Sequence, residues 1–91
     1  MIVKELMIQN PTGLHARPAT EFVAEAKKHQ SNIQIFRPNE PDLSVNAKSI
    51  VGLLSLGLYQ GESFCITAAG PDEAAAIDGL TALVESGFGE L

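Results

Sequence analysis

Apolar residues recur along the chain in short stretches, some with a period of two and some with the spacing of a helix face. In Ile2 to Ile8, Leu6 and Ile8 fall on one side and Glu5 and Met7 on the other, which predicts a strand, and Asn10-Pro11-Thr12-Gly13 predicts the turn after it. From Ala16 or Arg17 to about His29, Ala19, Phe22, Val23 and Ala26 share one helical face, and Pro18 fits the first turn, where its missing N–H is not needed. Asn32 to Phe36 alternates around Ile33 and Ile35. After Arg37-Pro38-Asn39-Glu40-Pro41, the residues Leu43, Val45 and Ala47 alternate again, so the two segments predict a hairpin with a loose loop. Ser49 caps a short helix from Ile50 to Leu56 that stops near Gly57. A turn at Gln60-Gly61 leads into a fourth strand, Ser63 to Ala68, with Phe64, Ile66 and Ala68 inward. Gly70-Pro71-Asp72-Glu73 opens a last helix with Pro71 in its first position, Ala76, Ile77, Leu80 and Val84 as its buried stripe, and Gly87 as its stop.

The order βαββαβα is best satisfied by an α+β open-faced sandwich: one four-stranded antiparallel sheet with three helices on one face, because each amphipathic stripe needs an apolar surface to bury. With 91 residues, 45% of them hydrophobic, we expect one domain spanning 1–91. A chain of this size leaves little room for a deep pocket, so chemistry is expected at the surface. Five aromatics and a formal charge of −5 argue against nucleic acid, which needs a basic stripe, and point to protein partners. No apolar run reaches the roughly 18–20 residues of a membrane span. The start of the sequence has no signal-peptide pattern and the lone Cys65 has no disulfide partner, so a cytoplasmic setting without membrane insertion is expected. One cysteine and two distant histidines make no metal site, and no cofactor is called for.

His15 is the residue whose position suggests chemistry. It stands between a glycine-containing turn and a helix whose first N–H groups have no partner inside the helix, which makes an anion site. A phosphoryl group on the imidazole would meet the backbone N–H groups of Ala16 and Arg17, and the planar fork of Arg17 could take two of its oxygens. The same field favours the neutral, nucleophilic ring over the imidazolium. Taken singly, a histidine here is more readily a turn or cap residue, and Arg17 more readily still a solvated charge. His29, near the end of the same helix, reads as a surface or dipole residue, and Lys27 and Lys28 as a basic last turn. The short second helix carries more apolar residues than one buried side can use. Leu53 and Leu56 can face the sheet, which leaves Ile50, Val51 and Leu54 as an outward patch of the kind that marks a docking surface.

Gly13-Leu14-His15-Ala16-Arg17-Pro18-Ala19 resembles the active-site signature of the HPr family of the bacterial phosphotransferase system at every position, and Lys48-Ser49-Ile50-Val51-Gly52-Leu53-Leu54-Ser55-Leu56-Gly57 resembles its second marker. The resemblance runs from the first strand to the last helix. It implies a stoichiometric phosphocarrier, itself substrate and product and not an enzyme. Enzyme I, charged from phosphoenolpyruvate, would phosphorylate Nδ1 of His15, and enzyme II components would take the group on for sugar uptake. Leu14, Thr20, Ile50, Val51 and Leu54 would then dock those partners. It also implies that a serine kinase and its phosphorylase can act on Ser49, with the added charge tolerated at a helix start and felt at the docking surface. The Arg37 to Leu43 loop is a few residues longer than in many relatives. The tail from Val84 to Gly89 is similar to the nitrogen-related branch, whereas Lys48-Ser49-Ile50 is similar to sugar-transport members. Two other readings remain open on this fold: an interaction module without phosphoryl traffic, which His15 and Arg17 together argue against, and a small acylphosphatase-like hydrolase, for which no water-positioning residue is evident.

Overall fold

Strands β1 (Ile2–Met7), β2 (Asn32–Phe36), β3 (Val45–Asn46) and β4 (Ser63–Ala69) and helices α1 (Ala16–Lys27), α2 (Ile50–Leu56) and α3 (Glu73–Glu85) follow one another in the expected order in the computed structural model, which describes residues 1–91. The strands form one antiparallel sheet in the order β1-β4-β2-β3. Leu6 pairs with Phe64, and Ile66 pairs with Ile35, so the inward residues of three strands line up on one face and are buried there. The stripes Ala19, Phe22, Val23, Ala26 of α1 and Ala76, Ile77, Leu80, Val84 of α3 close the core over that face. Each large side chain fully buried in this way contributes roughly 1.5–3 kcal/mol. The fold is the open-faced sandwich that the periodicity predicts. Cys65 lies on the opposite face, between Glu5 and Phe36 in register, and burial together with the Glu5 carboxylate pushes its thiol pKa up.

Three local expectations are corrected. In the segment from Leu43 to Ala47, ladder pairing with β2 is confined to Val45 and Asn46, and the Ala47 N–H donates to the Ile33 carbonyl just beyond it. Pro41–Leu43 instead forms a 3-10 turn in which the Leu43 N–H bonds back to Glu40 and its side chain is exposed, since a proline-led turn cannot supply ladder donors. The last helix begins at Glu73, two residues after Pro71, and its N-cap Asp72 makes no side-chain cap. The Asp72 carboxylate is used elsewhere: it accepts the N–H groups of Gln30 and Ser31 and the hydroxyl of Ser31. His29 is not a surface residue. Its ring lies between Glu25 (Nε2 to Oε2, 3.0 Å) and Asp72 (Nδ1 to Oδ2, 3.4 Å) and ties the end of α1 to the start of α3.

The Ser31 hydroxyl, followed by the Gln30 N–H, holds the Asp72 carboxyl down to about 2 from its ordinary 3.8. A carboxyl depressed in the folded state stabilises the fold above the unfolded value and loses that contribution as pH falls through the folded one. The melting temperature is therefore expected to fall between pH 3.8 and about 2, and Asp72→Asn should show a flatter decline over that window. Thermal melts across the acid range provide the measurement, and an equal decline in both proteins would remove Asp72 as a cause.

Candidate functional site

The loop between β1 and α1 is held from both sides. Asn10 is fully buried and donates through Nδ2 to the Gly13 carbonyl (3.0 Å) and to Glu90 Oε1 (3.1 Å), which also accepts the Thr12 N–H (3.1 Å). Gly13 has φ 74°, and a Cβ there would fall 2.7 Å from the Leu58 carbonyl oxygen, so only glycine fits this approach. The next residue, Leu14, donates its N–H to that same carbonyl at 2.9 Å and buries its side chain completely in the core. Leu14 therefore cannot be part of a docking surface, which corrects the expectation drawn from its place beside His15. An apolar side chain next to His15 anchors the loop here.

His15 follows in an extended conformation at the N-cap of α1 (φ −133°), and Ala16 turns the chain into the helix with φ 53°. A non-glycine residue at positive φ stores of the order of 1–3 kcal/mol, and such strain persists only where surrounding contacts fix it. The N–H groups of Ala16 and Arg17 make no hydrogen bond within the chain, and the exposed Arg17 side chain enters no ion pair. His15 is half-exposed, yet its Nε2 is buried and without a hydrogen-bond partner. The Tyr59 ring lies against it, with ring centroids 4.8 Å apart and planes tilted by 41°. The structure thus brings His15, Ala16 and Arg17 together as expected and adds Tyr59, whose proximity across 44 residues has no local signal in the sequence.

Helix α2 packs beside α1. Ser49 caps it as expected, its Oγ accepting the Gly52 N–H at 3.1 Å, which at an N-cap is worth about 1 kcal/mol. Gly57 ends it at φ 61°. Arg37 secures that end by donating to the carbonyls of Leu56 and Gly57 while its guanidinium pairs with Glu62. Within α2, Leu53 is buried and Leu56 packs partly against the core, while Ile50, Val51 and Leu54 are exposed by 38%, 75% and 44%. Thr20 is exposed on α1 and its hydroxyl donates to the Ala16 carbonyl.

Fold and site together define a small α+β module whose surface histidine, at a strained helix start with free N–H groups and an unpaired arginine, is suited to hold an anionic group. Residues 2–86 match the family model described as the PTS HPr component phosphorylation site. The chain is 43% identical over 84 residues to the phosphocarrier protein HPr of Buchnera aphidicola, covering 92% of this chain and 95% of that protein. It is 42% identical over 83 residues to the multiphosphoryl transfer protein of Vibrio cholerae, which covers 91% of this chain but only about a fifth of that relative's length. The crystal structure of HPr-C-His from Thermoanaerobacter tengcongensis superposes with a TM-score of 0.93 at 47% identity, covering 100% of this chain and 99% of that one. The chain belongs to the HPr family of the phosphotransferase system. No helix of the chain is long and apolar enough to cross a membrane.

Proposed function

We propose that the chain carries phosphoryl groups on His15, receiving them from Enzyme I and passing them to enzyme II components in the cytoplasm. The observation that carries this reading is the helix start itself, where the N–H groups of Ala16 and Arg17 and the guanidinium of Arg17 are all without partners beside a half-exposed imidazole. In the transfer, the Nδ1 lone pair attacks phosphorus in line, the Nδ1–P bond forms, and the bond from phosphorus to the donor breaks with its electron pair leaving on the donor. The free N–H groups and Arg17 take the equatorial oxygens, so the chain supplies position and charge while the partner supplies the group. Ile50, Val51, Leu54 and Thr20 form the docking surface on this reading. A kinase acting on Ser49 would set a phosphate at the edge of the same surface, with the helix start tolerating its charge.

Incubation with Enzyme I and labelled phosphoenolpyruvate tests the proposal. Stable, acid-labile label on the chain is the expected outcome. Absence of label would make it an interaction module, and released inorganic phosphate would make it a hydrolase. Because Arg17 has no structural partner, Arg17→Ala should slow transfer in both directions by roughly ten- to a hundredfold, as expected when charge-assisted hydrogen bonds to a phosphoryl group are lost. The melting temperature should barely move. Unchanged rates would mean that the backbone N–H groups suffice.

A further inference from the structure

Tyr59, from outside the β1–α1 loop, lays its ring against the proposed acceptor, and hydrogen bonds hold the turn that carries it. Its N–H donates to Glu62 Oε2 at 2.7 Å. Glu62 is gripped by the Arg37 guanidinium, which also holds the carbonyls at the end of α2, and the Glu62 carbonyl accepts the Ile8 N–H. On the other side, the close approach of Gly13 to Leu58 and Tyr59 and the Leu14 N–H bond to Leu58 tie the same turn to the loop that presents His15. Tyr59 as a whole is 63% exposed, so core burial does not account for where it sits.

We infer that Tyr59 is a positioning residue for phosphoryl transfer: its ring covers the Nε2 edge of His15 and leaves Nδ1 as the open nitrogen, so that it selects which ring nitrogen takes the group. Two observations carry this. Nε2 is buried without any hydrogen-bond partner although the residue as a whole is half-exposed, so the two edges of the imidazole differ in access. The Tyr59 ring lies against the same imidazole, with ring centroids 4.8 Å apart. The negative face of an aromatic ring attracts an N–H and repels a lone pair, so a covered Nε2 keeps the proton and Nδ1 keeps the lone pair that attacks. No hydrogen-bonding side chain performs this task here, in contrast to the carboxylate or carbonyl that usually orients a working histidine.

The inference rests on the carrier reading, and the experiment separates the two. In the unphosphorylated protein, the 15N shifts of the His15 ring report the tautomer without Enzyme I. The wild type and Tyr59→Phe should show the proton predominantly on Nε2, and Tyr59→Ala should show a mixture. With Enzyme I and phosphoenolpyruvate, Tyr59→Ala should lose roughly three- to tenfold in the rate at saturating Enzyme I, the range an aromatic pair supports. KM should be nearly unchanged, part of the label should appear on Nε2, and Tyr59→Phe should restore wild-type behaviour. Unchanged ring shifts in Tyr59→Ala, a loss confined to KM, or failure of Tyr59→Phe to restore the rate would each overturn the inference. A wild-type chain that takes no label would overturn the carrier reading instead, while the ring shifts would still decide whether Tyr59 sets the tautomer.

Discussion

His15→Ala is expected to abolish labelling from phosphoenolpyruvate completely while the circular dichroism spectrum stays native. The fold does not depend on the imidazole. Its Nε2 has no hydrogen-bond partner, the residue is half-exposed, and the loop is held by Asn10, Gly13 and Leu14 instead. The natural rival for the group is His29, and its surroundings disqualify it. Both its ring nitrogens face carboxylates, Glu25 at 3.0 Å and Asp72 at 3.4 Å, and its side chain is only 14% exposed. A phosphoryl dianion arriving there would meet two negative charges in place of free N–H groups, and like charges at such distances repel strongly in a partly buried site. His29→Ala should therefore label at close to the wild-type rate while melting at a lower temperature, because it removes the bridge between α1 and α3. Label persisting in His15→Ala would place the acceptor elsewhere and sink the site assignment.

The parts of this protein that were legible in its sequence are those that local pattern controls. The inward residues of β1, β2 and β4 and the stripes of α1 and α3 recur at fixed spacing, and each is buried where its period put it. Ser49 and Gly57 bracket α2 because capping chemistry is local. His15 and Arg17 stood out for the same reason, being neighbours at a helix start. Long-range pairing escaped. Asp72 reads as a helix-start acid, but Gln30 and Ser31 take its carboxylate from 41 or more residues away, and the same carboxylate faces His29 Nδ1. Leu14 looks like part of the site because it adjoins His15, yet in an extended segment adjacent residues point to opposite sides, and the core took Leu14. Tyr59 and Glu90 reach the loop that carries His15 only after the chain has folded, so nothing in their own neighbourhoods marks them.

Val51→Glu is expected to weaken binding to Enzyme I by about a hundredfold or more, the scale on which buried apolar contacts at the centre of an interface act, while leaving the melting temperature nearly unchanged. Seven residues of α2 carry five large apolar side chains, and one sheet face cannot take them all. The structure sorts them. Leu53 is fully buried, Leu56 is partly packed against the core, and Val51 at 75% exposure is the most open of the remainder. Substitution at so exposed a position usually changes stability by less than about 0.5 kcal/mol, and a carboxylate early in a helix also suits the dipole. A carboxylate carried into an apolar interface, by contrast, must lose its hydration without gaining a partner, which costs several kcal/mol. The two measurements answer separate questions. A fall in melting temperature would mean that Val51 packs inward in solution. Native melting with unaltered affinity would mean that the apolar patch of Ile50, Val51 and Leu54 lies outside the contact, leaving Thr20 and the surroundings of Arg17 to receive the partner.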